Sequence, residues 1–431
     1  MVIKIGTGYE EYKQLVPYGR MNNTVFDKLC ALLLAIAPIL QHYKGLYENA
    51  GFTVLLIAFP ILTLRFFLNR RIKAVNSRSI IAIIPLLLFE LYSVLIHSSS
   101  FGRLLYVLFM IWIFVCIASG CVNVAYFMKC ATTIVSIATV LLVVQYISHY
   151  LLHYTINLRP LNLLVSQNVI WVRHALTYTS TTTRLYRPAA FFLEPSHLFL
   201  YSFPLLCILL LTPGMNRWRR NKAIIISIAM LLTTSGFSIV IGLGLWIVYF
   251  LLYRDNQDNR PINLRKVFSG KTFLILIAIL IALILAFLFI PIFRRSVVRI
   301  FEDTEGTNAI DGRIRLARNY IQTITGKAIL IGTPNVTSTL DFNLAGFFAT
   351  YIKYGIIGLV LSYWFYGRGI ILLKRTYRWM SAIIVLISFF TAHTHGTFYM
   401  LYYVVFLMNG YCRLNIDYDL SIKSNHSVAY S

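Results

Sequence analysis

Acidic residues are scarce in this sequence: aspartate and glutamate together number 15 in 431, against 39 lysines and arginines. So few carboxylates leave no tight cluster for a hard cation. Glu302, Asp303 and Glu305 come closest, and the glycine after them makes that stretch read as a solvated turn. Cysteine is equally sparse. Cys30, Cys116, Cys121, Cys130, Cys207 and Cys412 fall in apolar runs or beside basic connections, so no disulfide framework holds the polar loops. No Cys-x-x-Cys pair, no His-Glu-x-x-His and no phosphate-binding glycine loop occurs. These absences argue against a zinc hydrolase or an ATP-driven pump, and no metal is expected. The weak ten-residue alternation of an outer-membrane barrel is missing as well.

What is abundant is apolar sequence. Hydrophobic residues make up 58% of the chain and charged residues 13%. The apolar residues are gathered in runs near the length that carries a helix across a hydrocarbon core at about 1.5 Å per residue. Lipid offers no partner for backbone polar groups, so helices that satisfy their own hydrogen bonds are the default. The expected fold is all-α: a polytopic integral membrane bundle, residues 1–431 forming one transmembrane domain. Candidate spans run from Val25 to Gln41, Gly51 to Leu68, Ser79 to Ile96, Leu104 to Gly120, Cys130 to Leu152 and Pro195 to Leu211. Further ones run from Ala223 to Thr234, Ile239 to Tyr253, Thr272 to Phe293, Asn343 to Tyr366, Met380 to Thr394 and Phe398 to Tyr411, about twelve in all. The polar first 20 or so residues lack the order of a cleavable signal, so the first span is expected to be a retained anchor.

Lysine and arginine set the orientation, because short basic loops stay on the cytoplasmic side. "RRIKAVNSR" at 70–78, "NRWRRNK" at 216–222, "RDNQDNRPINLRKVFSGK" at 254–271 and "GRGIILLKRTYR" at 367–378 alternate correctly through a twelve-span count. Both termini are then cytoplasmic. The net charge of +24 reflects this asymmetry and contact with anionic lipid heads, and nucleic-acid binding is not expected.

Two long loops fall outside, about 153–194 and 294–342, and loops of that length are usually functional. Their basic residues are Arg159, Arg173, Arg184, Arg187, Arg294, Arg295, Arg299, Arg313, Arg315 and Arg318, against a single Lys327. Guanidinium forks match phosphate oxygens and stay charged at any relevant pH. The plainer alternative is that rim arginines snorkel to lipid phosphates. Eight of the nine histidines, His426 excepted, also lie at or near the outer face under this topology.

The second loop has a helical register. Ile310, Ile314, Ala317, Ile321 and Ile324 repeat at three and four residues, with Asp311, Arg315, Arg318 and Gln322 on the neighbouring face. That spacing predicts an amphipathic helix lying on the membrane or across the bundle. Within the spans, Glu90 and Lys353 are expected to face the bundle interior, where they could pair, or Lys353 could hold a substrate phosphate. Ser235, Gly236, Gly242 and Gly244 are expected to let helices approach closely.

At the end of the first loop, Arg184, Arg187, Glu194 and His197 sit within one short element. Pro195 suits the first turn of a helix and Glu194 its positive end, which on the plain view is all that Glu194 does. The alternative is an anion clamp beside a general base, Glu194 or His197, able to take a proton from an attacking sugar hydroxyl.

"YRPAAFFLEPSHLFLY" at 186–201, "LLTTSGFSIVIGLGLW" at 231–246 and "NLAGFFATYIKYGIIGLV" at 343–360, in this order around a large external loop, resemble the O-antigen polymerase (Wzy) and O-antigen ligase superfamily. The likeness covers roughly 184–360 in motifs and the whole chain in topology. Ligases tend to carry a histidine late in the second large loop; none lies here between His197 and His393, which favours the polymerases. The resemblance implies a glycosyltransferase of the bacterial cytoplasmic membrane that moves a growing glycan from undecaprenyl pyrophosphate onto a new lipid-linked repeat unit. O-antigen, capsule and exopolysaccharide are the products it admits. Within that reading the residues singled out by position are the candidates: Glu194 and His197 as catalytic, and Arg184, Arg187, Arg313, Arg315, Arg318 and Lys353 for the pyrophosphate. No cofactor is implied; the partners are the lipid-linked oligosaccharide, membrane lipids, a chain-length regulator and a flippase. The rival classes are a ligase-type transferase, a lipid-linked oligosaccharide flippase, which would more often show repeats and broken helices in matching halves, and a non-catalytic synthase subunit.

Overall fold

The structure is a computed structural model. It describes residues 25–46, 49–68, 77–96, 101–118, 121–165, 186–211, 217–250, 317–322, 324–333, 346–373, 375–389 and 397–411, with single helical positions at 169 and 172 and between 274 and 298. The described residues are helical with no strand. In chain order the helices are α1 (Val25–Leu40), α2 (Ala50–Leu68), α3 (Ser77–Ile96), α4 (Phe101–Ala118), α5 (Val124–Leu151) and α6 (Pro195–Leu211). Then follow α7 (Arg217–Leu232), α8 (Gly236–Val248), the short α9 (Lys327–Ile331), α10 (Gly346–Leu372), α11 (Arg375–Ser388) and α12 (Thr397–Tyr411).

By length and composition three of these could cross a membrane, Ala50–Leu68, Tyr126–Leu151 and Gly346–Leu372, the last of them broken at Gly355. Helix starts follow side-chain chemistry. Asn123 accepts the Tyr126 amide at 2.9 Å and so opens α5. Pro195 opens α6 at the position where a missing N–H costs nothing.

The core gathers around α6. Every residue of that helix except Ser196 is buried, the mark of a helix apolar on all sides. It packs against α5, α7, α8, α11 and α12. Pro204 leaves the Leu200 carbonyl without its helical partner, and the Tyr403 hydroxyl of α12 donates to it at 2.9 Å. Tyr402 likewise donates to the Tyr201 carbonyl at 3.0 Å. One turn before Pro38 in α1, the Ala35 carbonyl receives the Tyr201 hydroxyl at 2.7 Å. Of these three carbonyls, that of Leu200 is the one whose helical donor a proline removes; the other two tyrosines tie α6 to α1 and α12 through a second bond to a helical carbonyl. Tyr403→Phe leaves the Leu200 carbonyl unsatisfied in an apolar interior and is expected to cost about 1–2 kcal/mol. Thermal unfolding in one detergent checks this; Tyr403→Phe melting with the wild type would show that another donor serves Leu200.

Small residues act unevenly. Above Gly242, an added Cβ would press on Met230 Cε of α7 at 3.2 Å, so α7 and α8 do approach closely there. At Gly244 none of the described residues lies within 4 Å of an added Cβ, so among them it makes no close helix contact.

The larger departure is α10. An unbroken span is expected from Asn343 to Tyr366, yet Gly355 has φ 62° and ψ −164°, and the helix changes direction there. Phe347 and Tyr363 lie sixteen residues apart, about 24 Å along a straight helix. Their ring centroids are 5.7 Å apart. Two side chains cannot bridge 24 Å, so the two arms, 346–354 and 356–372, fold back toward each other at Gly355.

The carbonyls freed by this fold find donors elsewhere. Ile352 O accepts both the amide and the hydroxyl of Thr333 at 2.9 Å. Tyr354 O accepts the Tyr92 hydroxyl of α3 at 3.0 Å, and Ser93 Oγ donates to the Tyr354 hydroxyl at 3.1 Å. Gly332, at φ 79°, lies against the same point, its backbone in direct contact with that of Lys353 and Gly355.

Candidate functional site

The end of the first loop, 186–194, lies across the head of α6 as a strap. Four different elements hold its backbone. Thr234, between α7 and α8, donates its hydroxyl to Tyr186 O at 3.1 Å. Gln145 of α5 accepts the Ala190 amide at 2.9 Å. Tyr43, between α1 and α2, donates to Phe191 O at 2.8 Å, and Arg159 Nη1 donates to Leu193 O at 2.7 Å.

The segments that supply these holds are themselves tied down. Tyr43 and Leu164 form an antiparallel bridge, with Lys44 N donating to Leu163 O at 2.6 Å and Val165 N to His42 O at 3.1 Å. Gln145 also donates to Ile156 O at 3.1 Å. His149 stacks on Tyr186 at 4.0 Å and bonds Thr155 Oγ1 at 3.0 Å. The Ser148 hydroxyl donates to the Tyr154 carbonyl.

Among the described residues, the non-glycine residues with left-handed backbone are His153, Ala190 and Thr234. Ala190 is in the strap, Thr234 holds it, and His153 follows α5 where the loop begins. Such conformations cost about 1–3 kcal/mol each and persist where surrounding structure over-determines them, often at functional sites.

Glu194, the last strap residue, is half-buried. Its backbone carbonyl begins α6, accepting the His197 and Leu198 amides at 3.1 and 3.3 Å. Its carboxylate accepts the Ser196 hydroxyl at 2.7 Å rather than a helix-start amide. Helix capping therefore does not occupy the side chain.

His197 lies deeper, 1% exposed. Its ring stacks on that of His42 at 4.6 Å with 3° between planes, and Tyr399 of α12 lies 5.7 Å away on another side. The Tyr399 hydroxyl donates to His197 O at 3.3 Å.

Arg187 is half-buried on the strap, near enough to the Tyr146 phenol to act on it electrostatically. Arg159 is 9% exposed. Burial depresses its affinity for its proton, and the neighbouring Tyr43, Tyr186 and Glu194 oppose that shift. Burial pushes the Tyr186 phenol up to about 12 and raises that of Tyr43, with the Arg159 cation opposing in both.

Arg187 and Glu194 thus lie on the strap and His197 in the first turn of α6, with Arg187 toward Tyr146 and His197 against His42 and Tyr399. Arg318 and Lys353 belong to a different element. Ala317 and Ile324 pack on Ile352 and its neighbours in the first arm of α10, leaving Arg318 exposed. Over residues 317–322 this matches the apolar and polar sides expected from the spacing; Ile310, Asp311, Ile314 and Arg315 lie outside the described residues. Lys353 is half-buried beside the fold at Gly355. Arg184, Arg313 and Arg315 lie outside the described residues. Arg294 and Arg295 are exposed, Arg294 resting over the Phe287 ring at 5.9 Å, as a snorkelling rim residue does.

His42, Tyr43, Gln145 and Tyr399 have no site role in the sequence pattern, and Arg159 stands there only as one of the loop arginines suited to phosphate. Only Arg159 carried a usable signal, as a loop arginine followed by proline. Among the described residues no group of three or more histidines, cysteines or carboxylates could hold a metal ion. No family model matches the chain, and no curated protein matches it.

Proposed function

We propose that this chain is a multi-pass protein of the bacterial cytoplasmic membrane that polymerises lipid-linked oligosaccharide repeat units on the outer face. It has about twelve spans and both termini in the cytoplasm, as the alternation of its basic loops requires. The observation that carries the reading is the strap: an arginine and a carboxylate on one short segment, held from four sides at the mouth of a fully buried helix. Chemistry with a charged leaving group needs such fixed groups, because preorganised charge costs no reorganisation during reaction.

In the reaction, Glu194 takes the proton of the acceptor sugar hydroxyl as its oxygen bonds to the anomeric carbon of the donor glycan. The bond from that carbon to the undecaprenyl pyrophosphate oxygen breaks, and the electron pair leaves on the pyrophosphate. Arg187 stabilises that charge, with Arg184, Arg313, Arg315, Arg318 and Lys353 as the further cations for the lipid carrier. Glu194 is preferred to His197 as base because its carboxylate is half-buried at the mouth, whereas the imidazole is enclosed by His42 and Tyr399. No metal or cofactor enters the step.

A gel of surface polysaccharide from cells lacking the protein, complemented at equal membrane expression, tests this. Loss of the protein, or Arg187→Ala, is expected to leave single repeat units where the wild type gives a ladder. Repeat units accumulating on the cytoplasmic face would make the protein a flippase. Full-length polymer that stays on its lipid carrier would make it a ligase.

A further inference from the structure

We infer that Arg159 is a positioning residue for Glu194, acting from behind the strap without touching substrate; this rests on the reading of Glu194 as the general base. Two of its donors are held within the protein: Nε gives to Asn157 Oδ1 at 2.9 Å and Nη1 to Leu193 O at 2.7 Å. Asn157 locks the arginine in return. It accepts the Arg159 amide at 3.1 Å through the same oxygen and donates to Arg159 O at 3.0 Å.

The acceptor of Nη1 is the carbonyl directly before Glu194, so the direction in which Glu194 leaves the strap is set by that bond. Tyr43 grips Phe191 O two residues earlier, and the α6 amides grip Glu194 O just after. The final turn of the strap is therefore fixed at the carbonyls of Phe191, Leu193 and Glu194. Among the described residues no carboxylate lies at ion-pair distance from Arg159. The groups that favour its charge are the phenols of Tyr43 and Tyr186 first, and Glu194 after them.

A buried cation short of ion-pair contact is costly, and the same backbone hold could be made by a neutral donor. An arginine here supplies two things together: a rigid fork that spans Asn157 and Leu193, and a positive charge beside the phenols of Tyr43 and Tyr186. Lysine retains the charge and loses the fork; glutamine retains a donor and loses the charge.

The test uses the full chain in proteoliposomes with a lipid-linked repeat unit. Arg159→Gln and Arg159→Lys are expected to lower kcat by about 10²-fold, the loss that a misplacement near 1 Å brings, with KM changed less than threefold. In a Glu194→Gln background, Arg159→Gln should produce no further loss, since its effect runs through Glu194. A tenfold rise in KM at unchanged kcat would make Arg159 a substrate ligand, and a fully additive loss would make it independent of Glu194; either overturns the inference.

A second readout does not depend on the reaction. Ser196→Cys, whose side chain occupies the place bonded to Glu194, reports the strap through its labelling rate with a membrane-impermeant maleimide. Adding Arg159→Gln should change that rate at least tenfold, and an unchanged rate would overturn the inference. If wild-type protein makes no polymer, the proposed function fails while the labelling result still decides whether Arg159 sets the strap.

Discussion

Glu194→Gln is expected to slow glycan transfer by about 10²–10⁴-fold, the contribution of a positioned general base. The substitution preserves size, and the amide oxygen can still accept from Ser196, so the strap and the start of α6 should remain as they are. A carboxylate that merely favoured the helix dipole would contribute a few tenths of a kcal/mol to about 1 kcal/mol at most. It would do so in stability, with little effect on rate. The two roles therefore separate by orders of magnitude in a single-turnover rate measured with saturating lipid-linked donor. Ser196→Ala, which removes one hydrogen bond from the carboxylate and no proton acceptor, should reduce the rate several-fold only. If Glu194→Gln instead turns over within tenfold of the wild type, the base is elsewhere. His197→Gln then becomes the decisive variant, and His42, stacked on that ring, its natural partner.

Gly355→Ala is expected to cost about 3 kcal/mol or more, a large share of the stability of an ordinary protein. The reason is local and double. A φ of 62° with ψ near −164° is a conformation that side chains rarely adopt, and the added Cβ would strike the backbone of Leu330 and Gly332. Neither is a flexible side chain that can move aside. Gly332→Ala meets the reciprocal obstacle in Lys353 and Tyr354. The pair should be less than additive because both act on one contact. Gly244→Ala, on α8 with none of the described residues within 4 Å of the added Cβ, is the control and should leave stability within about 0.5 kcal/mol or raise it slightly. Yield of monodisperse protein and thermal unfolding in one detergent read all four variants. Gly355→Ala behaving like Gly244→Ala would mean that α10 runs straight through its glycine and that the fold of its arms is wrong.

Much of the helical framework is legible in the residues. The start of α6 at Pro195 follows from proline after a carboxylate before an apolar run. The ends of α1, α2, α3 and α12 fall within about two residues of the apolar boundaries, as local hydrogen bonding alone requires. The fold in α10 is not legible. "YIKYGIIGLV" reads as one apolar run, and a glycine there is as compatible with close helix packing as with a reversal. The difference lies in Thr333, Gly332 and Tyr92, which supply donors and space from far along the chain.

The site divides in the same way. Arg187, Glu194 and His197 are neighbours in sequence, so their place on the strap and in the first turn of α6 could be read directly, and the aromatic-rich strap between them marked the mouth of a helix. Arg159 lies 34 residues from its acceptor Leu193, and Tyr43 lies 148 from Phe191. No periodicity joins such positions. By itself, the sequence determined that the chain forms apolar helices and that polar chemistry gathers at the entrance to α6, because backbone satisfaction and residue adjacency are local properties. Only the tertiary structure decided that His197 is enclosed, that Arg159 stands behind Glu194 and that α10 turns back at Gly355. Each of those depends on which distant group fills a vacant hydrogen bond or leaves room for a backbone to pass, and that is set by the packing of the helices.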